Sequence, residues 1–243
     1  MITHTYLTRI LSLNRMSGLI WIGFTSAFLF YGVAIFPPPS EGAEENRVLG
    51  VVEKMESSFK TVEDYTCEVE QIFYKDGGEG ERYRFKFYFK KGKKIRVDFS
   101  HPYSSLTIFY GEGDKEATVL PLRFLPAMKF RVSTDNPIIH TPAGQRINQT
   151  DMEYFIKFLS NNLKKVKQRA DEFYEDKDQA RFWLWGLDYI EGKDLEKYRI
   201  FISKQNWLPI RIERYDLGGK PLEVTAIQNY AINTRLNDKL FVP

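Results

Sequence analysis

Two groups of carboxylates lie close enough along the chain to suggest paired acid–base chemistry: Glu68 with Glu70, and Glu172 with Glu175 and Asp176. A glycoside-cleaving pair needs two carboxyls about 5–10 Å apart across the scissile bond. Residues two apart on a strand share one face, so Glu68 and Glu70 are first of all the wet face of the strand that carries them. The histidines are His4, His101 and His140. His101 directly precedes Pro102 and His140 lies two before Pro142, and neither has a partner at the spacing of a zinc site. There is no nucleophile elbow, phosphate-binding glycine loop or dinucleotide glycine pattern. Cys67 is the single cysteine, which excludes an intramolecular disulfide and reads as a small buried residue. These residues point away from an enzyme and call for no cofactor and no metal.

The more informative residues are apolar. Residues 82–91 read RYRFKFYFKK, with Tyr83, Phe85, Phe87 and Phe89 at every second position and charged residues or Tyr88 between them. Period two places the four rings on one face of a strand. That face is either the inside of an ordinary core or the wall of a pocket. Lys and Arg number 35 against 32 Asp and Glu, for a net charge of +3. With the two signs interleaved along the chain, this lacks the basic stripe of a nucleic-acid binder.

The chain's start reads as an address. Residues 17–36 form an uncharged run of about 20, preceded by Arg9 and Arg15 and followed by PPPSEGAEEN. Basic, apolar, then polar is the order of a secretion signal, and the run is also near the length that spans a bilayer as a helix. Cleavage after Gly42 or Ala43 and retention as an inner-membrane anchor are both open. Either way residues 1–43 serve export and linkage, and residues 44–243 form the exported domain, which places it in the periplasm.

Within that domain, Val48, Val51, Val52, Met55 and Phe59 recur at helical spacing over 44–60. Residues 64–75, 82–90, 94–99, 105–110 and 116–120 read as successive strands joined by glycine or proline turns, an antiparallel meander. Residues 134–146, with Pro137, Pro142 and Gly144, read as a loop. Met152, Phe155, Ile156, Leu159 and Leu163 predict a second amphipathic helix over 148–163, capped by Thr150 with Glu153 three residues on. Strands are expected again at 166–174, 180–187, 198–204, 208–215 and 221–232. In the 180–187 strand, Phe182 and Leu184 oppose Trp183 and Trp185. The sum is mostly β with α: about ten strands, more apolar sheet than two short helices cover.

KKIRVDFSHPYSSLTIFYGEGDKEATVLP, residues 93–121, resembles the segment of the LolA-like periplasmic lipoprotein carriers in which a Lys-x-Arg strand is followed by a proline turn, a strand, a glycine turn and a further strand. Residues 198–243 resemble the closing hairpins of that family, with L-P-x-x-I, Y-D-x-x-G-K, N-Y and a terminal D-x-x-F. The resemblance spans about residues 46–243. It implies a single curved antiparallel sheet forming a half-open barrel wrapped over amphipathic helices. It also implies a hydrophobic ligand site at Tyr83, Phe85, Phe87, Phe89, Ile95, Val97, Phe99, Leu106 and Ile108, if the aromatic face looks inward. The partners implied are lipoprotein acyl chains or another lipid delivered toward the outer membrane, with inner- and outer-membrane envelope proteins as further partners. The competing reading is a membrane-anchored interaction or sensor module of the same fold with no shuttled ligand.

Overall fold

The computed structural model describes residues 41–243 except 112, 114, 126, 166–172 and 189–193. The apolar run at 17–36 lies outside the described residues, as does most of the strand expected at 166–174. No helix among the described residues is long and apolar enough to cross a membrane.

Two helices, α1 (Glu41–Lys60) and α2 (Met152–Lys165), accompany eleven strands. The first six strands are β1 (Asp64–Lys75), β2 (Gly78–Lys90), β3 (Lys94–His101), β4 (Thr107–Tyr110), β5 (Glu116–Leu120) and β6 (Phe130–Ser133). After α2 come β7 (Tyr174–Glu175), β8 (Gln179–Leu187), β9 (Leu195–Ser203), β10 (Pro209–Tyr215) and β11 (Pro221–Ile232). They form one sheet in the order β6-β5-β4-β3-β2-β1-β11-β10-β9-β8-β7. Every pairing is antiparallel. The sheet does not close. Its edges are the four-residue β6 and the two-residue β7, and short edges offer little template for unwanted pairing. This is the open, half-barrel sheet with helices that the sequence implies.

One strand and one helix cap differ from the sequence expectation. β6 is not among the expected strands, because it is largely exposed and only four residues long. The cap of α2 is Asp151, whose Oδ1 accepts from the Tyr154 N–H at 2.9 Å. Thr150 instead donates its hydroxyl to the Ile147 carbonyl at 2.6 Å, within the 3-10 turn Ile147–Gln149.

The helices are placed unevenly. Val48, Val51, Val52 and Met55 of α1 and Phe155, Phe158, Leu159 and Leu163 of α2 pack with Phe182 and Leu184 of β8 and Tyr198, Ile200 and Ile202 of β9. Ser160 of α2 hydrogen-bonds Glu56 of α1. A second cluster joins Tyr65, Cys67, Phe87, Phe89, Ile95, Val97 and Ile108 of β1–β4 to Val62, Ile147 and Met152. Eleven strands at about 4.8 Å spacing make a sheet roughly 48 Å across, whereas two helices side by side cover about 20–24 Å. The β8–β9 side therefore has a helical cover. Over β2–β4 the end of α1 contributes Phe59, with Val62 just beyond it, and the rest of that side is covered by the irregular segment 134–151 and the first turn of α2.

The chain's end is tied across the strands. Asp64, 3% exposed, accepts from the Thr234 N–H at 2.8 Å and the Leu236 N–H at 3.1 Å. The terminal Asp238–Phe241 is a 3-10 turn, with Asp238 paired to Lys90 and Lys94 at 2.9 and 3.0 Å.

Candidate functional site: an apolar cavity under the aromatic ladder

The four rings of β2 divide into two pairs. Phe87 and Phe89 are 3% and 2% exposed. Phe89 stacks on Tyr65 with centroids 5.1 Å apart, and Phe59 of α1 closes on both rings at 6.0 and 6.3 Å. Phe89 is core, and Phe87 is the buried ring between it and the open end of the ladder. Tyr83 and Phe85, at the other end, are half-buried. They meet rings from β3 and the loop beyond it: Phe85 lies 5.4 Å from Phe99, and Tyr83 lies 6.4 Å from both Phe99 and Tyr103.

Between this open half and the 134–155 cover is a cavity of about 210 Å³. Tyr83, Phe85, Phe87, Val97, Phe99, Leu106 and Ile108 line it. Phe89 and Ile95 do not; Ile95 is fully buried beside Phe89 in the core. The cavity thus takes in seven of the nine positions read from the sequence. It also takes in residues that reading left out: Tyr65, Cys67 and Val69 of β1, Met152 and Phe155 of α2, and Ile138, Ile139 and Ile147 of the cover. The β1 and α2 residues lie on apolar faces already legible from their periodicity. The cover residues carry no periodic signal. The mouth is marked by Tyr103 and Ile138, 55% and 80% exposed.

One wall is polar but internally satisfied. The Glu223 carboxylate accepts from Gln71 Nε2 at 3.0 Å, Thr225 Oγ1 at 2.8 Å and Arg214 Nη1 at 2.7 Å. Arg214, 5% exposed, also donates to Glu196 at 2.9 and 2.7 Å, and Tyr198 donates its hydroxyl to the same carboxylate at 2.7 Å. Gln71, Glu223 and Thr225 line the cavity. With their strongest partners engaged, they form a fixed boundary to the apolar space.

On the cover side, Asp151 is 1% exposed and lines the cavity. Its Oδ2 has no hydrogen-bond partner, and the closest cation is Lys93 Nζ at 3.7 Å. Burial raises its pKa, against the lowering effects of the Tyr154 N–H and Lys93. His140 Nε2 donates to the Thr134 carbonyl at 2.9 Å, which holds the cover loop. Burial, helped by Glu68, pushes the Cys67 thiol up to about 12.

The carboxylates considered for catalysis lie elsewhere. Glu70 is held below the usual carboxylate range by its hydrogen bond from Arg84, with Arg82 adding to this, and Glu68 accepts from Asn229 at 2.8 Å. Glu175 is likewise lowered by Lys204. A general acid needs the opposite shift. Glu172 lies outside the described residues. Among the described residues, no group of three His, Cys, Asp or Glu is placed to hold a metal ion.

No protein-family model matches the chain. No curated protein matches its sequence. Among solved structures, the chain is similar to an uncharacterized conserved protein from Thermus thermophilus (13% identity, 81% of this chain and 93% of that one, TM-score 0.48). It is also similar to a LolA superfamily protein from Nitrosomonas europaea (15%, 81% and 97%, 0.36). A third is the Mycobacterium tuberculosis lipoprotein LppX (8%, 79% and 98%, 0.45). The family that residues 93–121 and 198–243 resemble is the one named for the Nitrosomonas europaea structure.

Proposed function

We propose that this chain is an exported binding protein for the acyl chains of a lipoprotein or another lipid, which it carries through the periplasm toward the outer membrane. The observation that carries this reading is the cavity between the open half of the β2 ladder and the 134–155 cover. Its walls are aromatic and aliphatic, and the nearby polar wall is internally paired. Such a lining suits a saturated chain, which offers shape and apolar surface but no hydrogen bonds. A volume of about 210 Å³ is below the ~300–1,000 Å³ of pockets that enclose a whole drug-sized molecule. The occupant is therefore one chain or part of one, with its polar end outside the mouth near Tyr103 and Ile138.

Native mass spectrometry with lipid extraction, on the protein purified from its own envelope, tests the reading. A stoichiometric lipid or lipopeptide adduct supports it and names the cargo class. A stable protein that carries no lipid and takes up no fatty-acyl probe contradicts it.

A further inference from the structure

The connection between β5 and β6 holds large apolar side chains out in solvent. Phe124 is 70% exposed, Leu125 42%, Met128 46% and Phe130, the first residue of β6, 53%. Scattered exposed apolar residues are ordinary, but a cluster within seven positions marks an interaction surface. The loop is not a loose end. The Arg123 N–H donates to the Ser105 carbonyl at 3.0 Å, and its guanidinium donates to the Phe99 and Ser104 carbonyls at 3.0 and 2.9 Å. Turn hydrogen bonds run from the Leu125 N–H to Leu122 and from the Met128 N–H to Leu125, both at 2.9 Å. The segment tied down by Arg123 contains Tyr103 and is followed directly by Leu106, and both line the cavity. The exposed rings therefore stand beside the cavity mouth.

Charge identifies the occupant. From Ala117 to Thr134 the chain carries Arg123, Lys129 and Arg131 and no acidic residue. Arg123 is engaged by the loop backbone and lies 3.7 Å from Asp98, and Arg131 is 3.9 Å from Glu116 with its side chain 81% exposed. Lys129 and Arg131 flank Phe130 and follow Met128. Apolar tips that enter the acyl boundary, with basic side chains reaching up to phosphates, are the pattern of an interfacial membrane anchor.

We infer that the β5–β6 connection inserts into the surface of a bilayer containing anionic phospholipid, and so seats the cavity mouth on that membrane. The seating of a mouth for acyl-chain transfer rests on the binding function proposed above; the insertion itself does not.

The test reads depth locally, so a full-length chain serves even if residues 17–36 are retained. An environment-sensitive fluorophore is attached at Met128→Cys or, as reference, at Lys91→Cys in the β2–β3 turn, at the opposite ends of the strands from the loop. Cys67, 2% exposed, does not compete for label. Vesicles of phosphatidylcholine, with or without phosphatidylglycerol, carry a lipid-borne nitroxide quencher. The inference expects several-fold stronger quenching at position 128 than at 91, greater with phosphatidylglycerol, and lost when Phe124→Ser and Phe130→Ser are added. Equal quenching at both positions, no gain from phosphatidylglycerol, or indifference to the serine substitutions overturns it. Uptake of a fluorescent fatty acid is measured on the same preparations. Uptake without insertion removes the docking inference alone, and insertion without uptake removes the binding function alone.

Discussion

Tyr65 stacks on both buried rings of β2, at 5.1 Å from Phe89 and 5.9 Å from Phe87, and its hydroxyl accepts from the Met152 N–H at 3.2 Å. The residue thereby joins the sheet to the start of α2. It marks the boundary at which the aromatic ladder changes from packed core to cavity wall.

That boundary separates stability from binding. Phe89→Ala empties a closed site between Tyr65 and Phe59 and is expected to cost about 3–5 kcal/mol, the range for a large aromatic removed from a core. Affinity of the remaining folded protein for an acyl probe stays near the original. Phe85→Ala removes a half-buried ring, costs clearly less, and weakens the probe by more. Urea unfolding and fluorescent fatty-acid titration of both variants check this. The reverse ranking in both measurements would mean that the cavity is misplaced along β2.

Cys67 provides a built-in reporter. A thiol pushed up to about 12 is ionised on the order of a thousandfold less at pH ~8 than an ordinary thiol with pKa ~8.5. Labelling of the native protein by a small maleimide is expected to be correspondingly slow. Because Cys67 lines the cavity, a bound acyl chain slows it further. Rapid labelling indifferent to fatty acid would contradict the placement.

Asp151 gives a pH signature. Burial raises its pKa in the folded state, so the folded protein holds that proton more tightly than the unfolded chain does. This contribution to stability is complete below the unfolded value of ~3.9 and fades as pH rises through the folded value. Asp151→Asn keeps an acceptor for the Tyr154 N–H, and Asn caps as well as Asp. The two proteins are expected to be similar near pH ~4, with the variant gaining on the original toward pH ~7. A variant that loses more than ~1 kcal/mol at neutral pH would show that the carboxylate is needed as a charge, for instance by Lys93.

The Glu196–Arg214–Glu223 group is a structural wall. Arg214→Ala leaves two buried carboxylates without their common cation and is expected to cost about 3–5 kcal/mol. Thermal or urea denaturation measures this directly. A loss below ~1 kcal/mol would mean that water or another cation replaces the guanidinium.

Much of the sheet was legible because its signal is local. Strands such as β1, β8 and β11 alternate apolar and polar residues between recognisable turns, and the opposition of Phe182 and Leu184 to Trp183 and Trp185 is realised in β8. The helices were legible for the same reason, although the cap of α2 moved by one residue: Asp151 and Thr150 are both good caps, and only the fold decides which carboxylate or hydroxyl meets the helix. The division of the ladder was not legible. Phe85 and Phe89 are the same residue on the same face of one strand. Their different fates depend on Phe59 and Tyr65 closing one end while the irregular 137–149 segment covers the other. That segment follows no period, so its share of the cavity, through Ile138, Ile139 and Ile147, had no signature in the sequence.

In the proposed reading Tyr83, Phe85 and Phe87, which line the cavity, contact an acyl chain and Phe89 does not. A fatty acid carrying a diazirine along its chain, photolysed with the full-length protein and mapped by peptide mass spectrometry, tests it most directly. Adducts at Phe85, Val97, Leu106 or Ile108, competed by unlabelled fatty acid and absent at Phe89 and Ile95, are the predicted result. No competable adduct on these strands, or adducts confined to the outer face of the sheet at Trp183 and Trp185, would contradict it.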